Sequence, residues 1–137
     1  ETFMVMNGDL LTTLNYSKMI AFHKKEKPIV TIAVQKRSVK VDFGVVKLNH
    51  SQELVGYIEK PNLFYEVSMG VYIFEPKVLR YIAKGKKLDF PDLINLLLKK
   101  GERVCAYPSD DFWLDIGRPD DYAKAVEIFE KSKKKFL

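Results

Sequence analysis

Apolar residues along this chain change their spacing several times, and each change marks an element. Thr2-Phe3-Met4-Val5-Met6 is a short continuous apolar run stopped by Asn7-Gly8-Asp9. That is the pattern of a parallel-sheet strand covered on both faces and ended by a turn. From Tyr16 the spacing turns helical: Tyr16, Met19, Ile20 and His23 share a face, Asn15 or Ser17 can cap the first turn, and Lys27-Pro28 closes the segment. Residues 29–35 read as a second strand. Strand, helix and strand in that order predict a right-handed crossover unit, so the front of the chain belongs to an open α/β sheet.

The middle of the chain carries no helical spacing. Residues 43–48, 54–58 and 67–74 are strand-like runs separated by polar turns such as Asn49-His50-Ser51, which predicts antiparallel additions. Two helices follow: one enters at Glu75-Pro76 and ends near Gly85, and one enters at Phe90-Pro91, carries Leu93, Leu96 and Leu97, and stops before Gly101. Residues 103–107 are a further strand and residues 112–116 an extended piece. Pro119 opens a last helix with Asp120 and Asp121 in its first turn and an inner face of Tyr122, Ala125, Val126 and Phe129. No linker rich in Pro, Gly or Ser divides these elements, so one domain is expected.

Composition narrows the classes. With 137 residues, 47% hydrophobic and 30% charged, the chain is long enough for one core and ordinary enough to set aside disordered and repetitive classes. No apolar run is long enough for a bilayer, and residues 1–9 lack the basic start and cleavage site of a signal peptide. One cysteine, Cys105 between Val104 and Ala106, reads as a buried strand position and fits a reducing cytoplasm. The net charge of +5 raises a nucleic-acid partner. However, Lys131, Lys133, Lys134 and Lys135 read more simply as a solvated helix end, and no stacking platform or nucleic-acid module accompanies them.

Candidate chemistry rests on carboxylates. Asp9 falls where a strand of an open α/β sheet would end, the place where such sheets bind ligands, so it is either a metal ligand or an ordinary turn residue. Asp115, in Trp113-Leu114-Asp115-Ile116-Gly117, is an acid among apolar neighbours. A metal would account for it, and so would capping of the Pro119 helix or a pair with Arg118. Glu59-Lys60-Pro61 places opposite charges on adjacent residues, which point to opposite faces while the chain stays extended. Gly44 and Gly70 interrupt strand-like runs, for close approach of a ligand or for a bulge. His23 and His50 read as structural or solvated, and no nucleophile–base context supports covalent catalysis.

Taken in order, Val5-Met6-Asn7-Gly8-Asp9, Phe43-Gly44-Val45-Val46, Glu59-Lys60-Pro61, Ser68-Met69-Gly70-Val71-Tyr72-Ile73-Phe74 and Trp113-Leu114-Asp115-Ile116-Gly117 resemble the sugar-phosphate nucleotidyltransferase family. The likeness is strongest to its mannose-1-phosphate guanylyltransferase-like branch. The resemblance implies an α/β fold: a partial doubly wound, Rossmann-like mixed sheet with antiparallel additions and flanking helices, lacking its N-terminal strands. Residues 1–137 would be the C-terminal, sugar-binding and metal-binding portion of the catalytic domain. It implies transfer from a nucleoside triphosphate to a sugar 1-phosphate, with Asp9 and Asp115 holding Mg2+, Glu59 on the sugar hydroxyls, Lys60 on the sugar phosphate, and Gly44 and Gly70 lining the sugar pocket.

The family's glycine-rich phosphate loop and the proline-lysine-proline segment after it have no counterpart here. The expectation is therefore a piece of a longer enzyme that turns over little alone and self-associates through an exposed sheet edge. The alternative is a non-catalytic sugar-nucleotide-binding or assembly module of the same fold acting through a partner chain. Ser68-Met69 stands where the family commonly has an asparagine and a small residue, and Arg118 where a threonine is frequent, so the sugar is left open.

Overall fold

The computed structural model describes residues 1–117 and 119–136, apart from the side chains of 119 and 120. Its centre is a four-stranded mixed sheet in the order β1-β6-β3-β7, built from β1 (Phe3–Met6), β3 (Val30–Lys40), β6 (Asn62–Phe74) and β7 (Val104–Pro108). β6 lies antiparallel to both β1 and β3, while β3 and β7 are parallel. The helix-linked strands β1 and β3 are thus not neighbours, because β6 separates them.

β6 also takes the doubly covered place assigned to the first strand. From Met69 onward its residues alternate between two apolar clusters, as the two-residue period of a strand requires. Tyr72 and Phe74 join Ile29, Val30, Val78, Leu93 and Leu97 on one face, and Met69, Val71 and Ile73 join Leu14, Met19 and Ala33 on the other. β1 is instead a half-buried edge strand, paired on one side only. Its continuous apolar run arises because Phe3 and Val5 pack on the first cluster and Met4 on the second.

Helix α1 (Tyr16–Glu26) covers one face, with Asn15 Oδ1 accepting the Lys18 N–H at 2.9 Å and Lys27 closing it in the left-handed region. Helix α2 (Phe90–Lys99) covers the other with Leu93 and Leu97, and its Phe90 ring lies nearly parallel to Tyr72 at 4.7 Å between centroids. Two predicted helical features come out differently. The segment from Pro76 is a short 3-10 stretch, Pro76–Tyr81, because only Val78 of its residues is buried, too little apolar surface to support a longer helix. In α3 (Pro119–Ser132) only Ala125 of the expected inner face is buried, while Tyr122 and Val126 are exposed. Cys105 is half-buried rather than buried, since β7 is the other sheet edge. The terminal lysines pair within their own segment, Lys131 with Glu127 and Lys133 with Glu130, as expected of a solvated helix end.

Two short ladders complete the fold. β2 (Leu10–Thr12) pairs antiparallel with β8 (Trp113–Asp115), and β4 (Val45–Leu48) with β5 (Leu54–Ile58). β3 and β6 run beyond the core as a two-stranded ribbon, with Lys36 to Lys40 opposite Glu66 to Asn62. Where the ribbon leaves the core the register jumps: Ile32 faces Tyr72 and Val34 faces Ser68, so Ala33 alone stands opposite Met69, Gly70 and Val71. That irregularity is a bulge.

Candidate active site

The bulge places Gly70 beside the end of β1. Gly70 has φ of 73°, and a Cβ there would stand 2.8 Å from Asn7 Nδ2. Both the backbone region and the close approach call for glycine. The Asn7 N–H donates to the Gly70 carbonyl at 2.9 Å and fixes the turn that carries Asp9. Asp9 precedes β2, a strand that three residues of Leu-Leu-Thr were too short to signal. In the β2–β8 ladder Leu10 faces Asp115, and the Ile116 N–H donates to the Asp9 carbonyl at 2.7 Å. Asp9 and Asp115, 106 positions apart, are thereby brought to the same end of one ladder, each bonded or registered to the other's chain neighbour.

Both carboxylates line a cleft of about 230 Å³ with Asn7, Leu10, Ser68, Met69, Gly70, Tyr72 and Trp113. Asp115 is exposed rather than buried among its apolar neighbours, so it needs no partner to offset desolvation. Its Oδ1 accepts the Gly117 N–H at 3.0 Å in a local turn. The suggested Asp115–Arg118 pair lies outside the described residues. Ser68 Oγ donates toward the Tyr72 hydroxyl at 3.2 Å and accepts the Gly70 N–H at 3.2 Å, giving the floor of the cleft a polar side. The Trp113 Nε1–H is buried without a partner, which marks the indole as an unsettled part of the wall.

The other three expected residues sit elsewhere. Gly44, Glu59 and Lys60 belong to the β4–β5 hairpin or its flanks and are absent from the lining of this cleft. A Cβ on Gly44 would collide with the Tyr57 hydroxyl, which donates to Glu59 at 2.7 Å and is held protonated above its ordinary range by that bond. Lys60 has φ of 42°, so the chain is not extended there and adjacent residues need not face opposite ways. Asn7, Trp113 and Tyr72 are cleft residues that lie within the recognised motifs but receive no site role from sequence, because a lone Asn, Trp or Tyr beside a strand is ordinary. A second groove of about 170 Å³ between β1, the 3-10 stretch and α2 is lined by apolar residues such as Phe3, Val78 and Leu93. It offers one carboxylate, Asp89, and little chemistry.

The nucleotidyl transferase family model matches residues 1–132. This chain belongs to that family. It is 32% identical to the UTP–glucose-1-phosphate uridylyltransferase of Synechocystis over 133 residues, covering 92% of this chain and 34% of that one. It is 28% identical to the probable mannose-1-phosphate guanylyltransferase 3 of Oryza sativa subsp. japonica, covering 98% and 38%. Among solved structures, HddC from Yersinia pseudotuberculosis superposes with a TM-score of 0.63 at 26% identity, over 93% of this chain and 55% of that one. The chain thus spans about a third of the length of the curated nucleotidyl transferase relatives it matches. Those relatives differ in base and sugar by name, so family membership does not select either.

Proposed function

We propose that this chain forms the metal-binding and sugar-facing part of a nucleotidyltransferase catalytic domain. The whole protein transfers a nucleoside monophosphate from a nucleoside triphosphate to a sugar 1-phosphate. The reading rests on one observation, the β2–β8 ladder that joins Asp9 and Asp115 at the edge of a polar cleft. A sugar-phosphate oxygen attacks the α-phosphorus in line, its new bond forms as the bond to the β-phosphate oxygen breaks, and pyrophosphate leaves. Such a displacement requires no covalent enzyme intermediate, only positioning and charge stabilisation.

The donor set fits Mg2+ held by Asp9 and Asp115. No group of three or more His, Cys, Asp or Glu residues suited to a metal occurs among the described residues. Two exposed carboxylates beside an open cleft suit a cation that keeps several waters and takes its other ligands from phosphates. When bound, that ion neutralises charge on the phosphoryl oxygens. Gly70 leaves the cleft floor open, and Asp9 and Asp115 orient what enters. For Gly44, Glu59 and Lys60 to bind the sugar and its phosphate, the β4–β5 hairpin has to approach the cleft. No helix among the described residues is long and apolar enough to cross a membrane, and a cytoplasmic setting suits the lone thiol.

Titration of Mn2+ into the isotope-labelled chain tests the carboxylate pair. Paramagnetic broadening is expected at residues 7–10 and 113–117 and is lost in Asp9→Asn and Asp115→Asn; broadening elsewhere only would overturn the assignment. Because the 137 residues hold no glycine-rich triphosphate loop, pyrophosphate release by this chain alone is expected to be slow or absent.

A further inference from the structure

Asp115 stands between two clefts. Beyond the polar cleft it also borders one of about 520 Å³ lined by Arg37, Trp113, Leu114, Gly117 and Asp121. Arg37 projects from the ribbon part of β3, and its guanidinium lies 5.1 Å from the centroid of the Trp113 ring and donates to the Trp113 carbonyl at 3.3 Å. A guanidinium held on an aromatic face loses little freedom when it binds a planar anion, and its remaining donors match two phosphate oxygens at once. No carboxylate pairs with Arg37 among the described residues. The neighbouring cation serves a different surface: Lys36 Nζ lies 4.7 Å from the centroid of Phe64, as strand alternation requires.

We infer that Arg37, seated on Trp113, binds a phosphoryl group of the substrates or of the pyrophosphate product on the far side of Asp115 from Gly70. The inference rests on the reading of Asp9 and Asp115 as cation ligands. Asp115 borders the cleft of Arg37 and Asp9 lies at the same end of the β2–β8 ladder, so an anion at Arg37 is disfavoured until a divalent cation offsets those two carboxylates. Phosphate binding at Arg37 is therefore cation-dependent. Trp113 has a second part here, since its indole forms a wall of both clefts and its Nε1–H has no acceptor. A ligand that shifts Arg37 moves the ring on which it rests.

Pyrophosphate and glucose 1-phosphate serve as probes, each titrated into the chain with and without Mg2+ and followed by the Trp113 Nε1–H resonance and calorimetry. The wild-type chain is expected to bind at least one probe only with Mg2+. Arg37→Gln should weaken that binding about ten-fold or more, in line with loss of a charge-assisted bidentate contact. Arg37→Lys should restore part of it, and Lys36→Gln, with the same charge change, should leave it within about two-fold. The probe that responds identifies the phosphoryl source. Equal affinity in wild type and Arg37→Gln, an equal loss in Lys36→Gln, or no Mg2+-dependent binding would overturn the inference. Mn2+ broadening at residues 7–10 and 113–117 in those same samples separates this failure from failure of the carboxylate pair, whose absence would remove both.

Discussion

His23 shows how much structure one residue can tie together. It is buried, its Nδ1 stands 2.7 Å from the Thr31 hydroxyl and its Nε2 3.1 Å from Glu75 Oε1, and the Thr2 hydroxyl donates to the same carboxylate oxygen at 2.7 Å. Because a carboxylate only accepts, Nε2 carries the proton toward Glu75. Four residues thereby connect the start of β1, α1, β3 and the end of β6. The Thr2 bond first, and the His23 bond next, hold the Glu75 carboxyl below its ordinary value of 4.5. A carboxyl with a depressed folded value contributes stability that is present above its unfolded value and lost as pH falls through the folded one. Urea unfolding between about pH 3 and 6 should therefore show a shallower acid limb for Thr2→Val than for wild type, and coincident limbs would refute the network's role. The sequence announced only that His23 lay on the inner side of a helix. Its partners are 8 and 52 positions away, which local spacing does not encode.

Among elements, the core and the ribbon divide sharply. Residues of β6 from Met69 to Phe74 are all buried, whereas Asn62 to Glu66 are exposed, as are most residues of β4 and β5. Phe43, Val55, Tyr57 and Phe64 show large apolar surface to solvent. A two-stranded ladder without a covered face is marginally stable on its own. Amide exchange should therefore be fast across 45–58 and 62–66 and slow across 30–34 and 71–74; equal protection would contradict this division. α1 and α2 were legible because a cap or a proline agrees with helical periodicity, and β4, β5 and β7 because short strand-like runs are bounded by polar turns. The insertion of β6 between β1 and β3 was not, since strand order depends on pairings between distant residues. Nor was β2, whose three residues carry no period, yet it is the strand that brings Asp9 to Asp115. The two aspartates were legible as motif residues, while Arg37 and Trp113 meet only through the fold.

For the whole molecule the unpaired outer side of β1 matters most. It borders the apolar groove formed by Phe3, Val5, Leu79, Ile82 and Leu88, and open edges beside apolar surface favour pairing with another chain. Light scattering of the 137-residue chain at rising concentration should report a homo-oligomer, and the mass of one chain at every concentration would overturn that expectation. The remaining consequence comes from the bulge at Ala33. Most exposed side chains beyond it, from Ser38 to Glu66, lie outside the two apolar clusters, so the cost of a mutation there is read more in what the protein recognises than in whether it folds.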